Sequence, residues 1–123
     1  MNSIEQTFAE FGHSLGIERM APGPNGGITL QLGQDQLLAF QTVSGGVLML
    51  LEAPLPPGDT LAVKLRALSL CHWRHAWPLA IQAGISRSGS LVIALRLPER
   101  DFRLPGVEQA LDLLIRLHQM AKT

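Results

Sequence analysis

Near the start of the chain, apolar side chains recur at the helical spacing i, i+4, i+7 and i+11: Ile4, Phe8, Phe11 and Leu15. Around a helix axis they fall within about 60° of one another, so they form a narrow, partly aromatic stripe. Ser3 and Gln6 have the spacing of a capping box, which satisfies free backbone N–H groups where a helix begins. The pattern therefore predicts a helix over residues 3–15 that docks along one edge.

Three predicted strands follow a loop rich in proline and glycine; the first alternates apolar and polar residues, and the third is apolar on both faces over residues 47–51. These segments cover residues 28–32, 37–43 and 47–52, and short runs of turn residues separate them. Alternation with a period of two is typical of strands, and short turns join antiparallel neighbours. The sequence therefore predicts an antiparallel meander of three strands.

A second helix is predicted over residues 61–76, where Asp59 can cap its start and Pro78 stops it. Its apolar residues form two opposite faces, which consist of Leu61, Leu65 and Leu68 on one side and Val63, Ala67 and Leu70 on the other. One face is enough to cover the sheet of a small domain. We expect the face of Val63, Ala67 and Leu70 to meet a second molecule, unless the first or last helix covers it.

The last third of the chain predicts a hairpin and a final helix. Strands are expected over 79–85 and 91–97, the second of which is apolar on both faces, and a helix is expected from Pro105 to about residue 121. The order helix, three strands, helix, two strands, helix indicates a single α+β domain over residues 1–123. Its expected architecture is two-layered, with three helices packed on a mostly antiparallel twisted sheet.

Composition adds an apolar surplus to this picture. Apolar residues make up 46% of the chain and charged residues only 16%, with ten basic and ten acidic residues and a formal net charge of zero. Such a chain is not disordered, and it lacks the positive charge of a general nucleic-acid or anionic-lipid binder. The charges are uneven along the chain: residues 1–63 hold one basic and six acidic residues, and residues 64–123 hold nine and four. We expect part of the apolar surplus to contact another chain.

The residues that carry chemistry do not form a known catalytic or metal-binding motif. Cys71 and His75 have the i, i+4 spacing of two zinc ligands, but His13 and His118 lie on other helices and the chain has no second cysteine. The glycine-rich segment at 23–27 precedes a strand, whereas phosphate-binding loops follow one. We therefore expect no catalytic residues, no metal and no cofactor.

The expected location is the cytoplasm. The N-terminal residues lack the basic segment and apolar run of a signal peptide. The lone Cys71 cannot form an intramolecular disulfide, and no apolar run reaches the roughly 18 residues of a membrane span. Membrane insertion is not expected.

Four segments of the C-terminal half resemble the class I type III secretion chaperones, the small CesT/SycE-like proteins, and most closely their SycN branch. They are LAIQAG at 79–84, GSLVIAL at 89–95, PERDFRLP at 98–105 and QALDLLIRLHQ at 109–119. The likeness is specific over about residues 60–120 and extends before them only as a pattern of elements. It implies a dimeric, ATP-independent, non-enzymatic chaperone that binds an extended N-terminal segment of a secreted gatekeeper or effector protein.

The resemblance also implies which surfaces make these contacts. The central helix and neighbouring strand would form the dimer interface, at Val63, Ala67, Leu70, Leu79 and Ile81. The client would lay strands on exposed sheet edges. A client-binding groove would be formed by Phe8, Phe11, Leu30, Leu32, Phe40 and Leu48, each of which could instead pack in the core. The second subunit could be another copy or a different chaperone; because related chaperones are commonly acidic, an acidic partner would balance this neutral chain.

Two other functions fit a two-layer domain of this kind. A small-ligand sensor would need a pocket with converging polar groups, which the sequence does not clearly offer. A structural adaptor would assemble a machine without holding an extended client. The adaptor has no sequence feature that separates it from a chaperone.

Overall fold

The helices and strands begin and end close to the predicted positions. The structure is a computed structural model that describes residues 3–55, 57–58, 60–71 and 79–122. The elements are α1 (Ser3–Ser14), β1 (Gly27–Leu32), β2 (Gln36–Val43), β3 (Gly46–Ala53), α2 (Thr60–Leu70), β4 (Ile81–Ile85), β5 (Leu91–Pro98), a 3-10 turn (Glu99–Asp101) and α3 (Leu104–Lys122). The predicted order of helices and strands is confirmed.

The five strands form one antiparallel sheet in the spatial order β1-β2-β3-β5-β4. The predicted three-strand meander and the predicted hairpin are present, and β5 pairs with β3 to join them into a single sheet. Helix α2 connects β3 to β4, so the chain crosses from the middle of the sheet to its far edge. The α+β prediction is confirmed.

The helices cover one side of the sheet, which we call the covered face. Its central residues come from three neighbouring strands and are almost fully buried: Leu38, Phe40, Met49, Leu51, Ile93 and Leu95. Helix α3 packs on β3 and β5, and it buries Leu114 and Leu117. The core therefore lies between the covered face and the helices.

Two boundaries differ from the sequence prediction. Helix α2 ends at Leu70 and is followed by a turn at Cys71, while the predicted remainder over residues 72–76 lies outside the described residues. Asp59, its expected cap, also lies outside them. Strand β4 begins at Ile81, two residues later than predicted.

Among the helices of the described residues, none combines the length and apolarity that a membrane crossing requires.

Candidate interaction surfaces

The face of helix α2 that was expected to contact a second molecule is buried within its own chain. Val63 and Ala67 are 1% exposed and Leu70 is 8% exposed, because α2 packs against α3 and β4 of its own chain. Nε of Arg66 donates a 2.8 Å hydrogen bond to the carbonyl oxygen of Ala121, which ties α2 to the end of α3. The prediction that Val63, Ala67 and Leu70 form a free face is therefore wrong, since these residues belong to the core.

The opposite face of α2 is open. Leu61, Leu65 and Leu68 are 67%, 58% and 59% exposed, although leucine usually lies inside a protein. Leu68 shares a shallow hollow with Ile85 at the end of β4, and Ile85 is itself 46% exposed. We call Leu61, Leu65, Leu68 and Ile85 the α2–β4 patch. Its residues form an exposed apolar surface on the described part of the chain, of the kind that often marks a contact with another protein.

The two strand residues of the predicted dimer interface have different positions. Ile81 pairs with Leu95 on the covered face and is buried in the core, so it is not available to a second subunit. Leu79 precedes β4, is half-buried and packs against the core. Part of Leu79 remains accessible beside the first half of α3. Of the five residues predicted for the dimer interface, Leu79 therefore keeps an accessible part, and the other four are buried in the protomer.

The phenylalanines of the predicted client groove form an aromatic cluster inside the core. The ring centroid of Phe8 lies 5.2 Å from that of Phe40 and 4.9 Å from that of Phe102, and Phe11 lies 5.8 Å from Phe40. The pairs have edge-to-face geometry, which aromatic quadrupoles favour. Oγ of Thr7 donates a 2.8 Å hydrogen bond to the carbonyl oxygen of Phe102 and ties α1 to this cluster. Phe8, Phe11 and Phe40 are core residues, so the prediction that they line a surface groove is wrong.

The three leucines of the predicted groove lie on opposite sides of the sheet. Leu30 and Leu32 are half-buried on the covered side of β1, where Leu30 pairs with Leu38. Leu48 points to the other side and is 37% exposed. The six residues therefore do not form one groove, and only Leu48 lies on the uncovered side.

No helix of the described residues covers that uncovered side, which we call the open sheet face. The strand register arranges its residues in rows across β2, β3 and β5. Ala39, Leu50 and Ala94 stand side by side in the central row. The next row carries Leu37, Glu52 and Val92, and on the other side of the central row Leu48 stands beside Arg96. The apolar residues of the open sheet face are Leu37, Ala39, Leu48, Leu50, Val92 and Ala94.

The open sheet face differs from an ordinary solvated sheet. Antiparallel sheets with one wet face normally carry polar residues there, whereas the middle of this face is apolar. Leu37, in the row next to the central one, is 36% exposed and is a diagonal neighbour of Leu50. Leu37, Leu50, Val92 and Ala94 are not among the site residues predicted from the sequence. For Leu50, Val92 and Ala94 the sequence signal was the two-sided apolar character of β3 and β5, which indicates a sheet that is apolar on both sides.

The sheet also has two edges at which backbone groups are unpaired in the described residues. Strand β1 pairs only with β2, and β4 pairs only with β5. The outward N–H and C=O groups of an edge strand can pair with an added strand from another chain. Each edge borders the open sheet face, so an added strand and an apolar contact could come from one continuous segment.

The residues that can carry chemistry are dispersed. Among the described residues no group of three His, Cys, Asp or Glu side chains could hold a metal ion. Cys71 is half-buried, and burial raises the pKa of its thiol, which disfavours the reactive thiolate. His75, its predicted companion, lies outside the described residues, as does His72. The candidate sites of the described residues are therefore the open sheet face and the α2–β4 patch, which are surfaces for contact with another chain.

Comparison with known proteins identifies the group of sequences to which this chain is similar. A family model described as type III secretory system chaperone SycN matches residues 3–121. The chaperone protein SycN of Yersinia enterocolitica is 28% identical over 120 residues, which cover 97% of this chain and 96% of the relative. The match therefore spans nearly the whole of both chains.

Solved structures with a similar fold include two type III secretion complexes. One is the Yersinia pestis type III secretion chaperone SycH in complex with a stable fragment of YscM2, with a TM-score of 0.72 and 13% identity over 95% of this chain and 98% of that one. Another is the heterodimeric ExoU–SpcU complex from the type III secretion system of Pseudomonas aeruginosa, with a TM-score of 0.65 and 20% identity over 93% of each chain. At these identities the likeness establishes the fold.

Proposed function

This chain belongs to the SycN family of type III secretory system chaperones, and we propose that it binds an extended segment of a secreted client and keeps that client competent for secretion. The proposed client is a gatekeeper or effector protein, held through its N-terminal segment in the cytoplasm. The observation that carries the proposal is the open sheet face, where apolar residues of three neighbouring strands lie exposed or half-buried without a helix over them in the described residues.

The client would cover the open sheet face with apolar side chains. Ala39 and Ala94 flank Leu50 in the central row, so small residues leave shallow depressions on either side of a larger one. A neighbouring stretch of the client would add a strand to the edge at β1 or β4. This mode of binding uses backbone pairing and apolar contact, so it suits a client segment that has not folded.

The α2–β4 patch would bind a second chaperone subunit. Its three leucines recur at i, i+4 and i+7 on one helix, which is the spacing of an apolar stripe that packs against a partner helix. Ile85 extends the stripe onto the sheet edge. The partner would be either another copy of this chain or a different chaperone of the same fold. The solved ExoU–SpcU complex is heterodimeric, so a chain of this fold can pair with a different chain.

The proposed activity is not enzymatic and uses no cofactor. To hold a client, the chaperone needs only a higher affinity for the unfolded client segment than for the folded one. The apolar surfaces can supply this preference without ATP. The solved SycH structure contains a chaperone in complex with a stable fragment of another protein, YscM2. This complex supports the proposal that the present chain likewise binds a segment of another protein.

Affinity purification of the tagged chain from its native host, followed by mass spectrometry, tests the proposal. We expect a secreted protein and a second small chaperone subunit to purify with the wild-type chain. Leu48→Asp should lose the secreted protein and keep the subunit, whereas Leu65→Asp should lose the subunit. Recovery of neither protein with the wild-type chain would contradict the proposal, and so would recovery of a folded partner whose N-terminal segment stays open to proteases.

A further inference from the structure

A groove on the helix side of the sheet is separate from the open sheet face and from the α2–β4 patch. It lies beside the first half of α3, between the 3-10 turn at Glu99–Asp101 and the chain entering β4, and its volume is ≈ 820 Å³. This volume falls within the roughly 300–1,000 Å³ of pockets that hold an ordered ligand. The groove is large enough to take side chains from a partner.

The floor of the groove is apolar. Leu97 at the end of β5 and Ala110 and Leu113 on α3 contribute to the floor, and half-buried Leu79 contributes a wall. Strand β4 begins opposite Leu95, so the end of β5 at Leu97 extends past it. The three floor residues are themselves only 2–3% exposed, so half-buried Leu79 and exposed Pro105 supply the apolar surface that a partner can reach. An apolar side chain of a partner that enters the groove would be transferred from water to an apolar surface that is already formed.

The rim of the groove carries excess positive charge. Nε of Arg100 lies 4.0 Å from Oδ2 of Asp101, and both side chains are exposed, so the pairing of these two charges is weak. Arg103 and Arg116 have no carboxylate within 4.0 Å among the described residues, and Asp112 is the remaining acid of the rim. Nε of Arg103 donates a 3.3 Å hydrogen bond to the carbonyl oxygen of Arg100, which holds the Arg103 side chain at the rim.

Carboxylates of this chain lie near the arginines without pairing with them. Glu10 and Glu99 line a small neighbouring hollow together with Arg103, but neither carboxylate is within 4.0 Å of its guanidinium. Asp112 and Arg116 are one helical turn apart on α3, yet their charged groups lie beyond ion-pair distance. The guanidinium groups are therefore free to bind carboxylates from a partner, which they can do with two parallel hydrogen bonds.

We infer that this groove binds an acidic, amphipathic segment of the client, with an apolar side chain on the floor and carboxylates beside Arg103 and Arg116. The inference rests on the proposed function, because the occupant is a client segment. It adds a sequence requirement to that function: the client needs acidic residues flanking an apolar one. A basic segment would face the excess positive charge of the rim and bind more weakly.

A pair of synthetic peptides tests the inference on the full-length chain together with any subunit that purifies with it. One fluorescein-labelled peptide has leucines at helical spacing flanked by glutamates, and the other has lysines in place of the glutamates. Fluorescence anisotropy measures the Kd of each. We expect the acidic peptide to bind about tenfold more tightly than the basic one, an advantage that high salt reduces.

Charge reversal identifies the groove as the binding site. The double variant Arg103→Glu and Arg116→Glu should reverse the preference, so that the lysine peptide binds more tightly; a gain of binding cannot arise from a misfolded protein. The matched control, Arg19→Glu and Arg87→Glu, changes two exposed arginines outside the groove by the same total charge and should keep the acidic preference.

Three results would overturn the inference: no binding of the acidic peptide by the wild-type chain, equal binding of both peptides, or the same loss in the control as in the groove variant. Protease protection of a purified client separates this failure from failure of the proposed function. If the groove variant protects the client as well as wild type does, only the groove assignment fails. If the wild-type chain protects no client segment, the proposed function itself fails.

Discussion

Nε2 of His118 on α3 lies 2.8 Å from the carbonyl oxygen of Leu51 in the middle strand of the sheet. The carbonyl can only accept, so the imidazole donates its Nε2–H, which ties α3 to the centre of the covered face. Nδ1 of His118 is also buried and has no hydrogen-bond partner among the described residues. Burial and the nearby charge of Lys122 lower the pKa of His118, and burial is the larger cause.

This arrangement predicts that acid destabilises the protein. The pKa of His118 is lower in the folded chain than the value of about 6.5 of an unfolded one, so the unfolded state takes up the proton first as pH falls. The contribution is fully present above about pH 6.5 and is lost as pH falls toward the folded-state pKa. Urea unfolding at a series of pH values should show this loss. His118→Leu should flatten the profile, while His13→Gln, at an exposed position, should retain it; an unchanged profile in His118→Leu would assign the effect to other groups.

The assignment of Phe8 to the core predicts a large effect on stability. Phe8→Ala removes a fully buried ring that contacts Phe40 and Phe102 and should lower the free energy of unfolding by about 3–5 kcal/mol. Leu48→Ala, on the open sheet face, should change it by less than about 1 kcal/mol. Urea denaturation followed by circular dichroism measures both. Equal effects would mean that Phe8 is not a core residue.

The sheet predicts a steric requirement at the start of β3. A Cβ atom at Gly46 would overlap the carbonyl oxygen of Leu97 on β5, so Gly46→Ala should destabilise the protein by about 1–3 kcal/mol. The matched control is Gly84→Ala on β4, where an added Cβ meets no atom within 4 Å and the change should stay within about 0.5 kcal/mol. Chemical denaturation of both variants tests the close approach of β3 and β5. A stable Gly46→Ala variant would contradict it.

Hydrophobic periodicity predicts the order of elements because each segment has a clear period. The alternation in β1 and the short apolar runs in β3 and β5 identify strands, and the turns between neighbouring strands indicate their antiparallel pairing. The stripe containing Phe8 identifies α1. Periodicity does not decide which side of an element another element covers, because that depends on contacts between residues far apart in sequence.

Helix α2 is the clearest case. Its two faces have similar hydropathy, so the pattern alone does not distinguish the face of Val63 and Ala67, which is buried, from the one that is free. Tertiary contacts decide the matter, because small Ala67 allows close packing and Arg66 reaches the end of α3 to bond Ala121. The groove prediction for the phenylalanines is wrong for the same reason: the ring of Phe102, distant in sequence, completes their cluster.

The corrected face of α2 makes a prediction about assembly. Leu65→Asp places a charge on the α2–β4 patch and should prevent association with the second subunit while leaving the fold intact, since Leu65 is exposed in the protomer. Val63→Asp buries an unpaired charge in the core and should unfold the chain. Light scattering coupled to size-exclusion chromatography, with circular dichroism, separates these effects. An assembly of unchanged mass in Leu65→Asp would show that this patch is not the interface.

The central claim, that the open sheet face holds an extended client segment, is tested most directly by limited proteolysis of the purified chaperone–client complex. Wild-type chaperone should protect a continuous N-terminal segment of the client from cleavage. Leu48→Asp should abolish that protection, and Gln119→Asp, at an exposed polar position of α3 on the helix side of the sheet, should preserve it. Equal protection by wild type and Leu48→Asp would contradict the claim.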